Sequence, residues 1–293
     1  MNRHSAASIR ARLKNHADAT RQDFNQILTR YGLERLVYRL SVSPHAQKFL
    51  LKGALLFALW FDAPHRPTRD ADFLGFGSDD PGAIAAMFRE ICAIEADDGI
   101  VFEPATVRAG EIRTTANYGG VRVELNATLD GARLALQVDI GFGDAVTPGA
   151  QEVEYPTLLA GMPAPHLRVY PRETVFAEKL EAIVQLGLPN SRMKDYFDLL
   201  ALARENAMDP KVLVQAIAAT FARRGTPLPR SLPIGLTEAF ANDPAKQTQW
   251  LAFVRKSRLT APDLGGVVAE IAAFSQSPLL EALALERAKS PPI

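Results

Sequence analysis

Hydrophobic and polar positions along this chain follow two rhythms, and the change between them falls near its middle. Over residues 7 to 41, Ile9, Leu13 and Ala17, then Phe24, Ile27, Leu28, Tyr31, Leu36, Tyr38 and Leu40, recur near helical spacing with charges between them, which predicts helix. "QKFLLKG" predicts a short strand, and "ALLFALWF" a short helix directly after it. Two prolines in four residues make "DAPHRPT" a loop. "RDADFLGF" is the next strand, and "DDPGAIAAMFREICAIE" a helix capped by Asp79 or Asp80, with Pro81 in its first turn.

Strict alternation then takes over. "GGVRVELNATLDGARLALQVDIGFGD" holds two alternating runs joined at Asp130-Gly131, a hairpin turn pair. Leu134, Leu136 and Val138 share one face of the second run, and Ala135, Gln137 and Asp139 the other. Four prolines (Pro156, Pro163, Pro165, Pro171) mark a connector, beyond which the helical rhythm returns over 173–187, 191–205, 210–223, 232–240, 243–256 and 262–285. Strands in the first half and helices in the second predict an α+β lobe over residues 1–165 and a helical lobe over 166–293.

Composition adds mainly exclusions. With 293 residues, 47% hydrophobic and 23% charged, the chain is long enough for two packed lobes. Lys plus Arg equal Asp plus Glu at 33 each, so any nucleic-acid contact has to use a local patch. Two short basic clusters, Arg223, Arg224 and Arg230, and Arg255, Lys256 and Arg258, suit either a solvated face or RNA contact. The single cysteine, Cys92, rules out an internal disulfide and a Cys-rich zinc site, and its helical apolar context predicts a buried thiol. The N-terminal residues lack the apolar core of a signal peptide, and no apolar run approaches the roughly 20 residues that span a bilayer, so a cytoplasmic protein without a membrane segment is expected.

The chemistry concentrates in "LLKGALLFALWFDAPHRPTRDADFLGFG". On a strand, Asp70 and Asp72 project from one face, where two carboxylates repel unless a cation is shared between them. Asp-x-Asp also occurs on exposed strands without any ion. Mg²⁺ takes oxygen ligands, often one or two protein carboxylates plus substrate phosphates, and Asp139 offers a third carboxylate from a nearby strand. Lys52, Gly53 and Ala54 stand where strand gives way to helix, so that unpaired amides and a lysine can meet phosphate. His65 reads as a solvated loop residue, while Arg66 and Arg69 can either neutralise a triphosphate or pair with the aspartates. Farther on, Lys179 reads from its spacing as an exposed lysine bonding Glu173, Glu178 or Glu181. Lys194 and Asp198 form an i,i+4 pair, and Asp195 and Asp198 share one helix face, open to a structural or a site role.

Six blocks in order, "YGLERLVYRLSVSPHAQKFLLKGALLF", "RPTRDADFLGFG", "YGGVRVEL", "LQVDIGFGDAVTP", "YPRETVFAEKLEAIVQLG" and "NSRMKDYFDLLAL", resemble the AbiEii/AbiGii-type nucleotidyltransferase toxins of abortive-infection and toxin–antitoxin systems, over nearly the whole chain. The resemblance implies a polymerase-β-like nucleotidyltransferase fold with a mixed sheet and an added helical lobe. It implies Asp70, Asp72 and Asp139 as metal carboxylates for Mg²⁺ or Mn²⁺, and Gly53-Ala54 as the phosphate turn, with Ala54 where the family usually has Gly or Ser. It also implies Lys179 on the NTP phosphates and Asp195 or Asp198 as a downstream site acid. The implied activity is NMP transfer from an NTP to an acceptor such as the tRNA 3′ end, blocking translation and opposed by a cognate antitoxin. A protein or small-molecule acceptor, and a nucleotide-binding module without turnover, remain as alternatives.

Overall fold

The computed structural model describes residues 5–61, 65–112 and 119–289; residues 62–64 of the "DAPHRPT" loop and Tyr118 of the "YGGVRVEL" block lie outside them. The chain divides into two compact units, residues 1–143 with 151–169, and residues 144–150 with 170–293.

The first unit opens with α1 (Ala6–Thr20) and α2 (Phe24–Ser41), where one continuous helix was expected. Arg21, at φ 55°, ends α1 in the left-handed region, and the Asp23 carboxylate restarts the chain as α2 by accepting from the Gln26 N–H. The apolar rhythm runs across this break because both helices bury one face. β1 (Phe49–Lys52) leads into a 3₁₀ turn over Gly53–Leu56 and a single helical turn, α3 (Phe57–Trp60). β2 (Asp70–Gly75) and α4 (Pro81–Cys92) follow, the latter capped by Asp80, whose carboxylate accepts from the Ala83 N–H at 2.7 Å. Two short strands, β3 (Ile100–Phe102) and β4 (Arg108–Ile112), precede the long hairpin of β5 (Gly120–Leu129) and β6 (Ala132–Phe142). β7 (Gln151–Glu154) and β8 (His166–Val169) complete the unit, β8 lying inside the stretch that its prolines mark as a connector.

These strands form one mixed sheet in the order β3-β5-β6-β2-β1-β8-β7, with β4 extending along the edge of β5 beyond β3. β2 runs parallel to β6 and antiparallel to β1, while β5 and β6 are antiparallel through the turn at Asp130 and Gly131, both at positive φ. Asp130-Gly131 is therefore the twist-matched turn its sequence predicted. Val121, Val123, Leu125, Leu134, Leu136, Val138 and Ile140 are buried on one face, which α1, α2 and α4 cover. Where charge enters that layer it is paired: Arg39 forks onto Asp98 at 2.6 and 3.1 Å. The opposite face of the hairpin is polar and open, with Arg122, Glu124 and Asn126 exposed along β5.

The second unit is helical: α5 (Arg172–Leu186), α6 (Met193–Glu205), α7 (Pro210–Arg224), α8 (Glu238–Ala241), α9 (Pro244–Ser257) and α10 (Leu264–Lys289). Over the predicted helix 232–240 the chain forms instead a 3₁₀ turn, Ile234–Leu236, and the single turn of α8, because Pro233 and Gly235 break the rhythm. α5 packs on α6 and α7, and α10 on α6 and α7. By length and composition alone Leu264–Ala288 is long and apolar enough to cross a membrane, a test that a core helix also passes. Its buried positions, Leu264, Val267, Val268, Ile271, Ser275, Leu279 and Ala282, recur every three or four residues as in a helix covering a core. Asp144 and Thr147 belong here, Asp144 paired with Arg224 at 3.3 Å and the Thr147 N–H donating to Thr174 Oγ1 at 3.0 Å.

Candidate active site

Pairing across the sheet places four charged residues in one lateral row. Lys52 on β1 stands opposite Asp72 on β2, Asp72 opposite Asp139 on β6, and Asp139 opposite Arg122 on β5. The order of charges is plus, minus, minus, plus. Asp70 lies one pleat back on the same face of β2, paired with Gln137. Ala71 and Phe73 between and beyond the aspartates are buried, so the alternation of β2 drives both carboxylates to the half-exposed side. One carboxylate oxygen from each of Asp70, Asp72 and Asp139 lies within 4.8 Å of the others. An all-oxygen donor set of this kind fits a hard divalent cation, and these three residues can hold one.

Neighbouring side chains position Asp70 and Asp139. Thr68 Oγ1 donates to Asp70 Oδ1 at 2.6 Å. Arg122 donates from Nε and a terminal nitrogen to the two oxygens of Asp139, both at 2.8 Å, and Gln137 Nε2 lies 3.3 Å from each of them. That hydrogen bond lifts the Arg122 guanidinium above its ordinary range. Gly53, at φ 73°, packs so closely on Asp72 that a Cβ there would lie 2.1 Å from Oδ2. Both the backbone angle and the space therefore require glycine at this turn. The turn itself is fixed from behind by the buried Tyr155 hydroxyl, which donates to the Leu55 carbonyl at 2.9 Å.

The expected helix start after Gly53 is a 3₁₀ turn and one helical turn, too short for an appreciable macrodipole, so what this segment offers near Asp72 is backbone N–H groups and Lys52. Ala54 is half-buried in that turn, Arg66 half-buried and Arg69 exposed in the segment before β2. His65 is not a solvated loop residue. Its ring stacks on Phe57 at 4.1 Å between centroids and on Phe61 at 5.4 Å.

In the helical unit, Lys179 is nearly buried where an exposed lysine was expected, and its partners include carboxylates on the next helix. Its Nζ lies 2.8 Å from Asp195 Oδ1 and 2.7 Å from Asp198 Oδ2, both fully buried on α6. The expected Lys194–Asp198 pair is thereby replaced by a contact between helices. Burial raises the Asp195 carboxyl, but Lys179 and Arg192, the latter at 2.6 Å, outweigh it and hold the group below its usual range. Arg224, in a cluster that suited either a solvated face or RNA contact, lies against Asp144, Glu178 and Glu181 at 3.3, 3.3 and 2.8 Å. Burial lowers it, and the surrounding carboxylates raise it further, for a net upward shift.

Arg122 was missed as a partner of Asp139, although the sequence holds the signal: counting outward from Asp130-Gly131 pairs these two residues on the polar face.

Three aspartates converging on adjacent strands beside a glycine turn could hold a divalent cation, the kind of donor set that phosphoryl and nucleotidyl transfer can use. The model of the nucleotidyl transferase AbiEii toxin of type IV toxin–antitoxin systems matches residues 35–282, and the chain belongs to that family. It is therefore a nucleotidyltransferase, of a family defined by toxins with an antitoxin counterpart. The crystal structure of JHP933 from Helicobacter pylori is similar in fold, with a TM-score of 0.50 and 16% identity over 90% of this chain and 95% of that one. A second H. pylori structure, of a protein assigned only provisionally as a nucleotidyltransferase, has a TM-score of 0.48 and 18% identity, covering 90% and 98% of the two chains. No curated protein sequence matches the chain.

Proposed function

We propose that this chain transfers NMP from an NTP to an acceptor hydroxyl, the tRNA 3′ end, with cleavage of the α–β phosphoanhydride and release of pyrophosphate, and so stops translation until a cognate antitoxin in the same cytoplasm intervenes. The observation that carries this reading is the convergence of Asp70, Asp72 and Asp139 oxygens within 4.8 Å on in-register strands of a chain in the AbiEii family. Asp70 and Asp72 hold Mg²⁺, or Mn²⁺ in its place, with Asp139 as the third carboxylate. Such an ion, when bound, neutralises charge on the phosphates and on the attacking and leaving oxygens.

The chain's own groups do the rest. Lys52 and the Gly53-Ala54 amides face the phosphates from β1, and Arg66 and Arg69 add charge from the segment before β2. Asp139 orients the acceptor hydroxyl and accepts its proton. Lys179 is a further phosphate ligand on family resemblance, held in its own unit by Asp195 and Asp198. Phosphoryl chemistry of this kind depends on positioning and charge neutralisation, so loss of one carboxylate is costly.

The test is incubation of the purified chain with each labelled NTP, Mg²⁺ and total tRNA, resolved on a denaturing gel. Asp70→Asn and Asp72→Asn are each expected to lower labelling at least about a hundredfold and to relieve growth inhibition on expression. Label on protein with none on RNA would move the acceptor to a polypeptide. Full labelling in both variants would overturn the reading.

A further inference from the structure

A carboxylate offers a cation two modes of contact: one oxygen, or both at once through the wedge between them. At Asp139 that wedge is already filled. The Arg122 fork takes the facing edges of both oxygens at 2.8 Å each, from the neighbouring strand and in register. Gln137 Nε2, at 3.3 Å from each oxygen, crowds the same pair. Asp139 keeps free only the outer edges of its oxygens, each of which offers one contact at a time.

We infer, on the metal-binding reading above, that Arg122 is a specificity-determining residue that makes Asp139 a one-oxygen ligand and so selects a small six-coordinate cation over Ca²⁺. The physical reason lies in what the two ions ask for. Mg²⁺ takes about six oxygens at 2.0–2.1 Å and is content with single contacts from carboxylates. Ca²⁺ takes about six to eight at 2.3–2.6 Å and commonly reaches that number by chelating a carboxylate through both oxygens. A fork on Asp139 denies Ca²⁺ that extra contact and takes nothing from Mg²⁺.

Arg122 also brings a positive charge, which weakens binding of any divalent cation by charge repulsion. That effect acts alike on two ions of equal charge, so it cancels in their ratio. The ratio of Ca²⁺ to Mg²⁺ affinity therefore isolates the geometry of the fork from its charge. Arg122 is well placed for substitution, since its side chain is 44% exposed and contributes nothing to the apolar layer.

The experiment uses Mn²⁺ bound to the full chain, followed by electron paramagnetic resonance, and displaces it with Mg²⁺ and with Ca²⁺. In Arg122→Met and in Arg122→Lys the Ca²⁺-to-Mg²⁺ affinity ratio is expected to rise roughly tenfold, the lower end of what loss of an outer partner does at a metal ligand. Arg122→Lys keeps the charge and loses the fork, so a wild-type ratio in the lysine variant would overturn the inference. An unchanged ratio in both would do the same. Circular dichroism and the melting temperature of each variant establish that it is folded, and loss of fold in one leaves the other to decide. If the wild-type chain binds no Mn²⁺, or binds it equally well as Asp70→Asn, the metal reading itself falls and the inference with it.

Discussion

Gly53 meets Asp72 at a distance no side chain tolerates. A Cβ at that position would lie 2.1 Å from Oδ2, on a residue whose φ of 73° already disfavours any side chain. Gly53→Ala is therefore expected to cost at least about 1–3 kcal/mol in backbone strain alone. Because relief requires Asp72 to turn away, activity should fall more than stability does; chemical denaturation and NTP labelling on the same preparation separate the two. At this scale the sequence was readable where chemistry follows from one strand's alternation. Asp70 and Asp72 had to share a face because Ala71 and Phe73 fill the other. Lys179 was not readable, since its partners lie on another helix, and spacing along one helix reports only neighbours three and four residues away. His65 was misplaced for a similar reason: its stacking on Phe57 and Phe61 depends on a loop path that composition does not encode.

Between elements, the contact of α5 with α6 is held by one lysine serving two buried carboxylates. Removing the cation takes a close partner from both while Arg192 stays on Asp195, so Lys179→Met is expected to destabilise the chain by about 3 kcal/mol, the low end of the cost of breaking a buried ion pair. The sign of the pH dependence follows from the depressed Asp195 carboxyl. A folded value below the ordinary 3.8 means that the pairing contributes fully above that pH and is lost as the pH falls through the lower folded value. The gap in melting temperature between wild type and Lys179→Met should thus be widest near neutrality and shrink in acid below about pH 4. Calorimetry over that range checks it, and a gap independent of pH would count against the pairing. Element by element, the hairpin was the most legible part, because Asp130-Gly131 fixes both the turn and every pair outward from it. The short strands were the least legible. β8 joins β1 through a single register position, and four residues of alternation do not stand out in a proline-rich stretch.

For the whole molecule, Cys92 is a convenient reporter of cooperativity. It sits 5% exposed on α4, and burial pushes its thiol up to about 12. At pH 8 the native chain should react with a disulfide reagent far more slowly than an unfolded one, and added denaturant should speed the reaction in step with loss of circular dichroism. Rapid labelling of the native state would show that α4 opens on its own. The α+β class, with a mixed sheet ahead of a helical region, was legible from the change of rhythm alone. The path of the chain between the units was not, for it depends on pairings such as Asp144 with Arg224 and Thr147 with Thr174, which no local pattern announces. Residues 144–150 count with the helical unit, yet 151–169 return to supply β7 and β8 to the sheet. The segments of the two units thus alternate along the chain. A single recombination joint at residue 143 would strip β8 and β7 from the flank of β1, and one at 169 would separate Asp144 from Arg224. Inheritance of either unit as a cassette requires several joints at once, so lineages of this enzyme are expected to diverge by substitution within both units together.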